Sequence, residues 1–293
     1  MRFVRGRDEL GDTPRPRLRP EIDARRLLRE RGLRPRKRLG QHFLVNPRVA
    51  QRIAELVLGE NEQARVLEIG AGTGALTVAL LARGARLTAL EIDPALVQIL
   101  PERGDLGGVE IVEADALQFD YDAFAGGGAW IVAGNLPYNV GTPLLAELAT
   151  RDLPPQRIVA MLQKDVVDRL TAKPATPAYG SLTVLVGARM NVRRAFTLGR
   201  SHFHPPPNVD SSVVVLERRD ETSGIDDFRA FTTIVKGAFA YRRKTLANSL
   251  LQALGTPREQ SARALRALSL DPEIRAEHLD LAAFVEFTRR LRA

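Results

Sequence analysis

Five short apolar runs alternate with helical stretches through the middle of this 293-residue chain. They are Arg65–Ile69, Arg86–Glu91, Val109–Glu113, Trp130–Ala133 and Arg157–Leu162. Short segments of this length, rich in Val, Ile and Leu and alternating with helical patterns, read as strands of a buried sheet. Helical patterns fall at Ala75–Ala82, Pro94–Leu100, Thr142–Thr150, Lys164–Leu170 and Ser181–Gly187. The alternation predicts an α/β fold with a doubly wound parallel sheet. Val192–Phe196 and Val213–Leu216 add two further strands. Upstream, Pro47 opens a helix to Leu58 with Val49, Ile53, Leu56 and Val57 on one side. Glu21–Gly32 reads as a short basic helix behind a disordered, basic tail at 1–20.

The character changes after Arg219. A polar linker at 220–226 leads to helices at Phe228–Leu254, Pro257–Leu268 and Ala282–Leu291. Three segments result: a basic N-terminal arm at 1–34, a Rossmann-like sheet domain at 35–219, and a small all-helical domain at 220–293.

Charge is distributed unevenly. The formal net charge is +8. Residues 1–40 carry 14 Lys+Arg against 6 Asp+Glu, and residues 189–250 carry 11 against 6. Residues 41–188 carry 11 against 17. An acidic body with two basic segments suggests a polyanion that docks at two places. The chain has no Cys and only four His, so disulfides and a metal cluster are not expected. No apolar run reaches the ~20 residues that span a bilayer. No secretory signal is legible. The expectation is a cytoplasmic, monomeric protein with no membrane partner and no metal.

Chemistry-bearing residues recur at the carboxyl ends of the strands, where open α/β sheets bind ligands. Gly70, Gly72 and Gly74 follow the first strand and allow close approach of a nucleotide. They suit a nicotinamide cofactor as well as S-adenosylmethionine. Glu91 ends the second strand and can accept the ribose hydroxyls of an adenosine. Asp93, before Pro94, suits a helix cap. Asp115 follows the third strand, where it either accepts from an adenine amine or caps a turn. Asn135-Leu136-Pro137-Tyr138 follows the fourth. The Asn135 side-chain oxygen and the Leu136 carbonyl can accept from an exocyclic amine. Pro137 brings no competing N–H, and Tyr138 offers a stacking face. Together these residues point to methylation of an adenine amine. Phe203 opens a proline-stiffened loop that either positions its ring beside the base or merely connects two strands. Arg242, Arg243 and Lys244, on the first helix of the last domain, are either a solvated face or phosphate contacts.

With these residues in view, the chain resembles the ribosomal RNA adenine dimethyltransferases that act on the small subunit. The resemblance runs from about Lys37 to Leu250. It rests on Gly40-Gln41-His42-Phe43-Leu44, Glu68 to Gly74, Asn135 to Asn139, Pro205 to Ser211, and Arg242-Arg243-Lys244-Thr245-Leu246. It implies S-adenosylmethionine as cofactor, held by His42, Leu44, Gly70, Gly72, Glu91, Asp115 and Asn135. It implies Asn135, Leu136, Pro137, Tyr138 and Phe203 at the target adenine, and RNA contacts at Arg242, Arg243 and Lys244. The activity implied is N6,N6-dimethylation of two adjacent adenosines in the 3′-terminal hairpin loop of 16S rRNA, during ribosome biogenesis. The partner implied is the small ribosomal subunit. His42 stands where many members have Asn, and Asn208 replaces a frequent basic residue.

Three other readings share part of the pattern. Resistance methyltransferases of large-subunit rRNA have the same core, but Asn135-Leu136, the Pro205-Pro206-Pro207 loop and Arg242-Arg243-Lys244 favour the small-subunit type. A non-catalytic organellar transcription or assembly factor would keep the fold. A nicotinamide dehydrogenase fits the glycines but not Asn135 to Tyr138.

Overall fold

The computed structural model describes residues 2–4, 24–59, 65–137, 140–219 and 224–292. Tyr138 and most of the N-terminal tail lie outside the described residues. In chain order the strands are β1 Arg2–Val4, β2 Phe43–Leu44, β3 Arg65–Ile69, β4 Arg86–Glu91 and β5 Glu110–Glu113. They continue with β6 Trp130–Asn135, β7 Arg157–Gln163, β8 Met190–Leu198, β9 Phe203–His204 and β10 Ser211–Arg218. The helices are α1 Ala24–Glu30, α2 Pro47–Leu58, α3 Ala75–Ala82, α4 Pro94–Ile99, α5 Tyr121–Ala125 and α6 Gly141–Thr150. They continue with α7 Lys164–Leu170, α8 Ser181–Arg189, α9 Phe228–Phe239, α10 Leu246–Leu254, α11 Arg258–Arg266 and α12 Leu281–Arg292.

One sheet runs β1-β5-β4-β3-β6-β7-β10-β8. β4, β5, β6 and β7 join β3 in a parallel core. The strand order turns back at β3, with β4 on one side and β6 on the other. Such a switch point opens a crevice at the carboxyl ends of the two strands. The expected parallel sheet is therefore its core; β10 adds to β7 antiparallel and makes the whole sheet mixed. The tail, read as disordered from composition, is corrected at Arg2–Val4, which pairs antiparallel with Ile111–Glu113. An edge strand leaves backbone donors and acceptors open, and a segment of three residues can satisfy them although it is too short to show a strand pattern in the sequence.

The chain forms two compact units. The first is Met1–Val167 with Arg193–Glu217; the second is Asp168–Val192 with Arg218–Ala293. Relative to a line drawn at 220, the helical unit also takes in α8. In the sheet unit, α2 is capped by Asn46, whose side chain accepts from Arg48 and Val49 N–H. Its Ile53 and Val57 are buried with Val66, Leu80, Ala133 and Val159 in the core. The helical unit closes around Phe231, Val235, Leu246, Leu265, Phe284 and Phe287.

The single helix expected over Phe228–Leu254 is two helices. α9 stops at Phe239, and residues 240–245 turn back into α10, whose N-terminus is capped by the Thr245 hydroxyl. The hairpin is close because Gly237 has no side chain; a Cβ there would stand 2.8 Å from Leu254 Cδ1. The buried Ser249 hydroxyl stitches the turn, donating to Gly237 O at 2.8 Å and accepting from Tyr241 N–H at 3.2 Å. Arg242, Arg243 and Lys244 are thus corrected from a helix face to an inter-helix turn. Helical periodicity continues through the turn, so the pattern alone does not show the break.

Candidate active site

The ends of β3, β4 and β6 surround a cleft lined by Gly70, Gly72, Glu91, Asn135, Leu136 and Pro137 among others. Gly70 and Gly72 have φ of 77° and 58°, a left-handed backbone that favours glycine. Gly70 and Ala71 N–H donate to Leu90 O at 2.9 and 3.1 Å, folding the turn onto β4. A Cβ on Gly72 would sit 3.1 Å from the Phe43 ring. The space over the turn is therefore kept by sequence on both sides. Arg103, unremarked in the sequence, donates to the Thr73 carbonyl and pairs with Asp105 at 2.7 Å. That guanidinium holds the Asp105 carboxyl below the usual carboxylate range.

Two buried carboxyls lie under and beside the turn. Glu91 Oε2 accepts from Gly72 N–H at 2.8 Å, and Oε1 accepts from Ile92 and Asp93 N–H, both at 2.9 Å. Burial pushes its pKa up, against the pull of these amides. Oε2 accepts one N–H and so retains a further lone pair, which suits a hydroxyl donor in the cleft that Glu91 lines. Glu68 is 1% exposed, and its Oε2 has no hydrogen-bond partner among the described residues. Burial pushes its pKa up to about 8, with the nearby Thr77 hydroxyl opposing and the Glu91 charge adding to the shift. Glu68 lines the cleft although the sequence singled it out only as part of a motif. Ile92, also in the lining, is 41% exposed, an apolar face beside the Glu91 carboxylate. An apolar residue directly after the strand-terminal acid is the signal that points to it.

The segment Leu39 to Leu44 covers one side of the cleft as a strap. At one end, Gln41 accepts from Arg36 N–H at 2.7 Å and donates to Asp93 at 2.9 Å. Asp93 also pairs with the Arg36 guanidinium at 3.1 Å and caps α4 through Ala95 N–H, as expected for a residue before Pro94. At the other end, β2 pairs with β9, matching Phe43 to His204 and Leu44 to Phe203. His42 Nδ1 donates to Pro205 O at 2.8 Å. The backbone carbonyl of His42 accepts from Asn135 Nδ2 at 2.7 Å.

That last bond fixes the amide of Asn135. With Nδ2 turned to the strap, Oδ1 is the acceptor left for a ligand. The Leu136 carbonyl has no donor among the described residues, while Leu136 N–H is held by Met161 O at 3.1 Å. Gly134 brings this end of β6 against β3, since a Cβ there would be 2.5 Å from Ile69 O. Of the expected site residues, the structure gathers His42, Leu44, Gly70, Gly72, Glu91, Asn135, Leu136 and Pro137 in one cleft.

Two residues expected at the cleft do not join them. Asp115 is outside the lining and caps a short turn, its Oδ1 accepting from Leu117 N–H at 2.9 Å. Phe203, expected beside the base, is corrected: its ring is 1% exposed, buried in the core with Leu44 and Ile53. Pairing with β2 turns it inward, where it supports the strap from beneath. Arg242 donates to the carbonyls of Pro177 and Tyr179 at 2.9 and 3.3 Å and lies 3.6 Å from Glu277. Arg243 and Lys244, in the same turn, are exposed.

A family model described as ribosomal RNA adenine dimethylase matches residues 32–290. The chain belongs to the ribosomal RNA adenine dimethylase family. Ribosomal RNA small subunit methyltransferase A of Geobacter metallireducens is 44% identical over 275 residues, covering 91% of this chain and 98% of the relative. The Magnetococcus marinus protein of the same name is 42% identical, covering 89% and 93%. Among solved structures, a dimethyladenosine transferase from Plasmodium falciparum is similar at a TM-score of 0.70, with 25% identity over 84% of this chain and 96% of that one. The 23S rRNA methyltransferase ErmE is similar at 0.64, with 25% identity over 86% and 100%. Membership decides between the two cofactors that the glycines allow. This dimethylase family uses S-adenosylmethionine, and the nicotinamide reading is set aside.

Proposed function

We propose that this chain transfers methyl groups from S-adenosylmethionine to the exocyclic amines of two adjacent adenosines in the 3′-terminal hairpin loop of small-subunit rRNA. The observation that carries the reading is the fixed amide of Asn135. Its Nδ2 is held by His42 O, so its Oδ1 faces the cleft as an acceptor. The residues present fit the cofactor. Glu91 Oε2 would accept a ribose hydroxyl, Ile92 would give an apolar face to the adenine, and the Gly70–Gly72 turn would leave room for the methionine part. Bound there, the cofactor supplies an electrophilic methyl group on a sulfonium.

The target amine is a weak nucleophile because its lone pair is shared with the ring. Asn135 Oδ1 and the Leu136 carbonyl accept its two N–H groups and draw the lone pair back onto nitrogen. Pro137 adds no donor that would compete. Holding the amine in line with the methyl contributes much of the rate. When the amine has gained one methyl from the sulfonium and released one proton to solvent, a single N–H remains, enough for one of the two acceptors to orient it for transfer from a second cofactor molecule. Tyr138 is the stacking partner of the base in this reading, while Phe203 acts only through the strap. Arg243 and Lys244 contact phosphate.

The 42–44% identity of two relatives named as small-subunit methyltransferases favours the small subunit over the large. We place the protein in the cytoplasm as a single chain working on the assembling subunit. No described helix is long and apolar enough to cross a membrane. The test is transfer of labelled methyl to small subunits lacking the modification, beside large-subunit precursors, followed by nucleoside analysis. Dimethyladenosine on the small subunit is the expected result. Label on large-subunit RNA would place the chain with the resistance enzymes. No transfer to either, with subunits still bound, would make it an assembly or transcription factor.

A further inference from the structure

We infer that α1 and the basic turn after it form a phosphate-docking face for the substrate RNA, with Arg29, Arg34, Lys37 and Arg38 as its contacts. The inference rests on the RNA reading above and adds a second cationic surface to it, in the sheet unit itself.

Two features fix this face. The first is its anchoring. Ala24, Leu27 and Leu28 bury one side of α1 against Phe43, Leu96 and Ile99. The opposite side, which carries the arginines, is held outward. The second is the division among the cations. Arg26 pairs with Glu30 at 2.6 Å, Arg31 with Glu102 at 2.5 Å, and Arg36 with Asp93 at 3.1 Å. These three arginines tie the element to itself and to α4. Arg29, Arg34, Lys37 and Arg38 are exposed and have no carboxylate partner among the described residues. From Ala24 to Arg38 the only carboxylate is Glu30, already taken by Arg26. Four unneutralised charges on so short a segment repel one another, and a polyanion relieves that repulsion.

The position of the face matches the chemistry. Lys37 and Arg38 sit on a single helical turn, Lys37–Leu39, ended by Gly40 in the left-handed conformation. Leu39 and Gly40 already line the cleft. Phe43, which anchors α1, also packs on Gly72 of the glycine turn. RNA held along this face is therefore delivered at the mouth of the site where its base must enter. An exposed solvated arm would show no such continuity.

The test replaces Arg29, Arg34, Lys37 and Arg38 with Ala together, leaving the apolar anchor and the three paired arginines untouched. Binding to small subunits lacking the modification is measured across a range of salt concentrations, beside methyl transfer and cofactor titration. Four lost phosphate contacts should make the slope of log K against log salt shallower by about 3. The KM for subunits should rise at least tenfold, with cofactor affinity unchanged. A slope and KM equal to wild type would overturn the inference. If the fourfold variant no longer binds cofactor, the pairs Arg29→Ala with Arg34→Ala and Lys37→Ala with Arg38→Ala are each read alone, with half the slope change expected from each. Wild-type protein that transfers no methyl defeats the functional reading only, because the salt slope still decides on the face. Wild-type protein that binds neither subunits nor their naked rRNA defeats both.

Discussion

The cleft of the sheet unit and the cationic turn of the helical unit are built on different principles. In the cleft, functional groups come from the ends of three strands and from a strap far from them in sequence. Each is held by backbone: Glu91 by three amides, Asn135 by His42 O, the glycine turn by Leu90 O. In the turn, three neighbouring cations share one loop, and Arg242 is engaged by Pro177, Tyr179 and Glu277. The first kind of site depends on the fold as a whole, and one displaced atom should stop it. The second depends on a count of free charges and should weaken by steps.

The sharpest way to break this contrast is Asn135→Ala. It removes the acceptor for the amine and the hold on His42 O together. A fall in kcat of about 10²–10³-fold or more is expected, by analogy with loss of a preorganised hydrogen-bonding group. Subunit binding should be nearly intact, and full activity would remove Asn135 from the mechanism. Asn135→Asp separates its two roles. It keeps an acceptor but sets a carboxylate oxygen against the His42 carbonyl, so the strap should loosen and cofactor affinity should drop as well. Gly134→Ala comes next. Its methyl would stand 2.5 Å from Ile69 O, and β6 must move away from β3. A loss of about 1–3 kcal/mol in denaturant unfolding is expected for such overpacking. Weaker cofactor binding should accompany it, because the shift carries Asn135 with it. An unchanged midpoint would mean the crevice is more plastic than its close packing implies.

Much of the cleft was legible in the sequence because each strand end has a local signature. The bounds of β3, α3, β4 and α2 follow directly from apolar pattern, glycine, proline and caps. Glu91 and Asn135 could be placed because strands of an α/β sheet present their carboxyl ends together. What escaped was set by tertiary contact. Nothing near Phe203 in sequence says that its strand pairs with β2 and turns the ring inward. Arg103 reaches the Thr73 carbonyl across 30 residues, and no spacing rule connects them. The α9–α10 break depends on Gly237 meeting Leu254, a contact between two halves of what reads as one amphipathic helix.

Glu68 tests the cleft from below, with an effect whose sign is fixed. Its pKa is raised to about 8 in the folded protein, while an unfolded Glu titrates near 4.5. Between these values the folded chain binds more protons than the unfolded one. Stability should therefore fall as pH rises from about 4.5 toward 8, then level off for this group. Glu68→Gln keeps the shape without the charge. Its midpoint relative to wild type should climb through the same window, as read by thermal unfolding at stepped pH. A difference that does not change with pH would mean the carboxyl stays ionised despite its burial.

The smallest effect belongs to the turn. Arg243→Ala with Lys244→Ala should make the salt dependence of subunit binding shallower by about 1.5, two contacts at ~0.7–0.9 each. Arg242→Ala should act differently. Its guanidinium is bound to two backbone carbonyls within its own unit, so its removal should lower the unfolding midpoint and change the salt slope little. Equal slope changes for all three residues would mean that Arg242 leaves those carbonyls when RNA binds. The turn would then be remodelled by its partner, and the contrast between a fixed cleft and an additive patch would extend to how each meets its ligand.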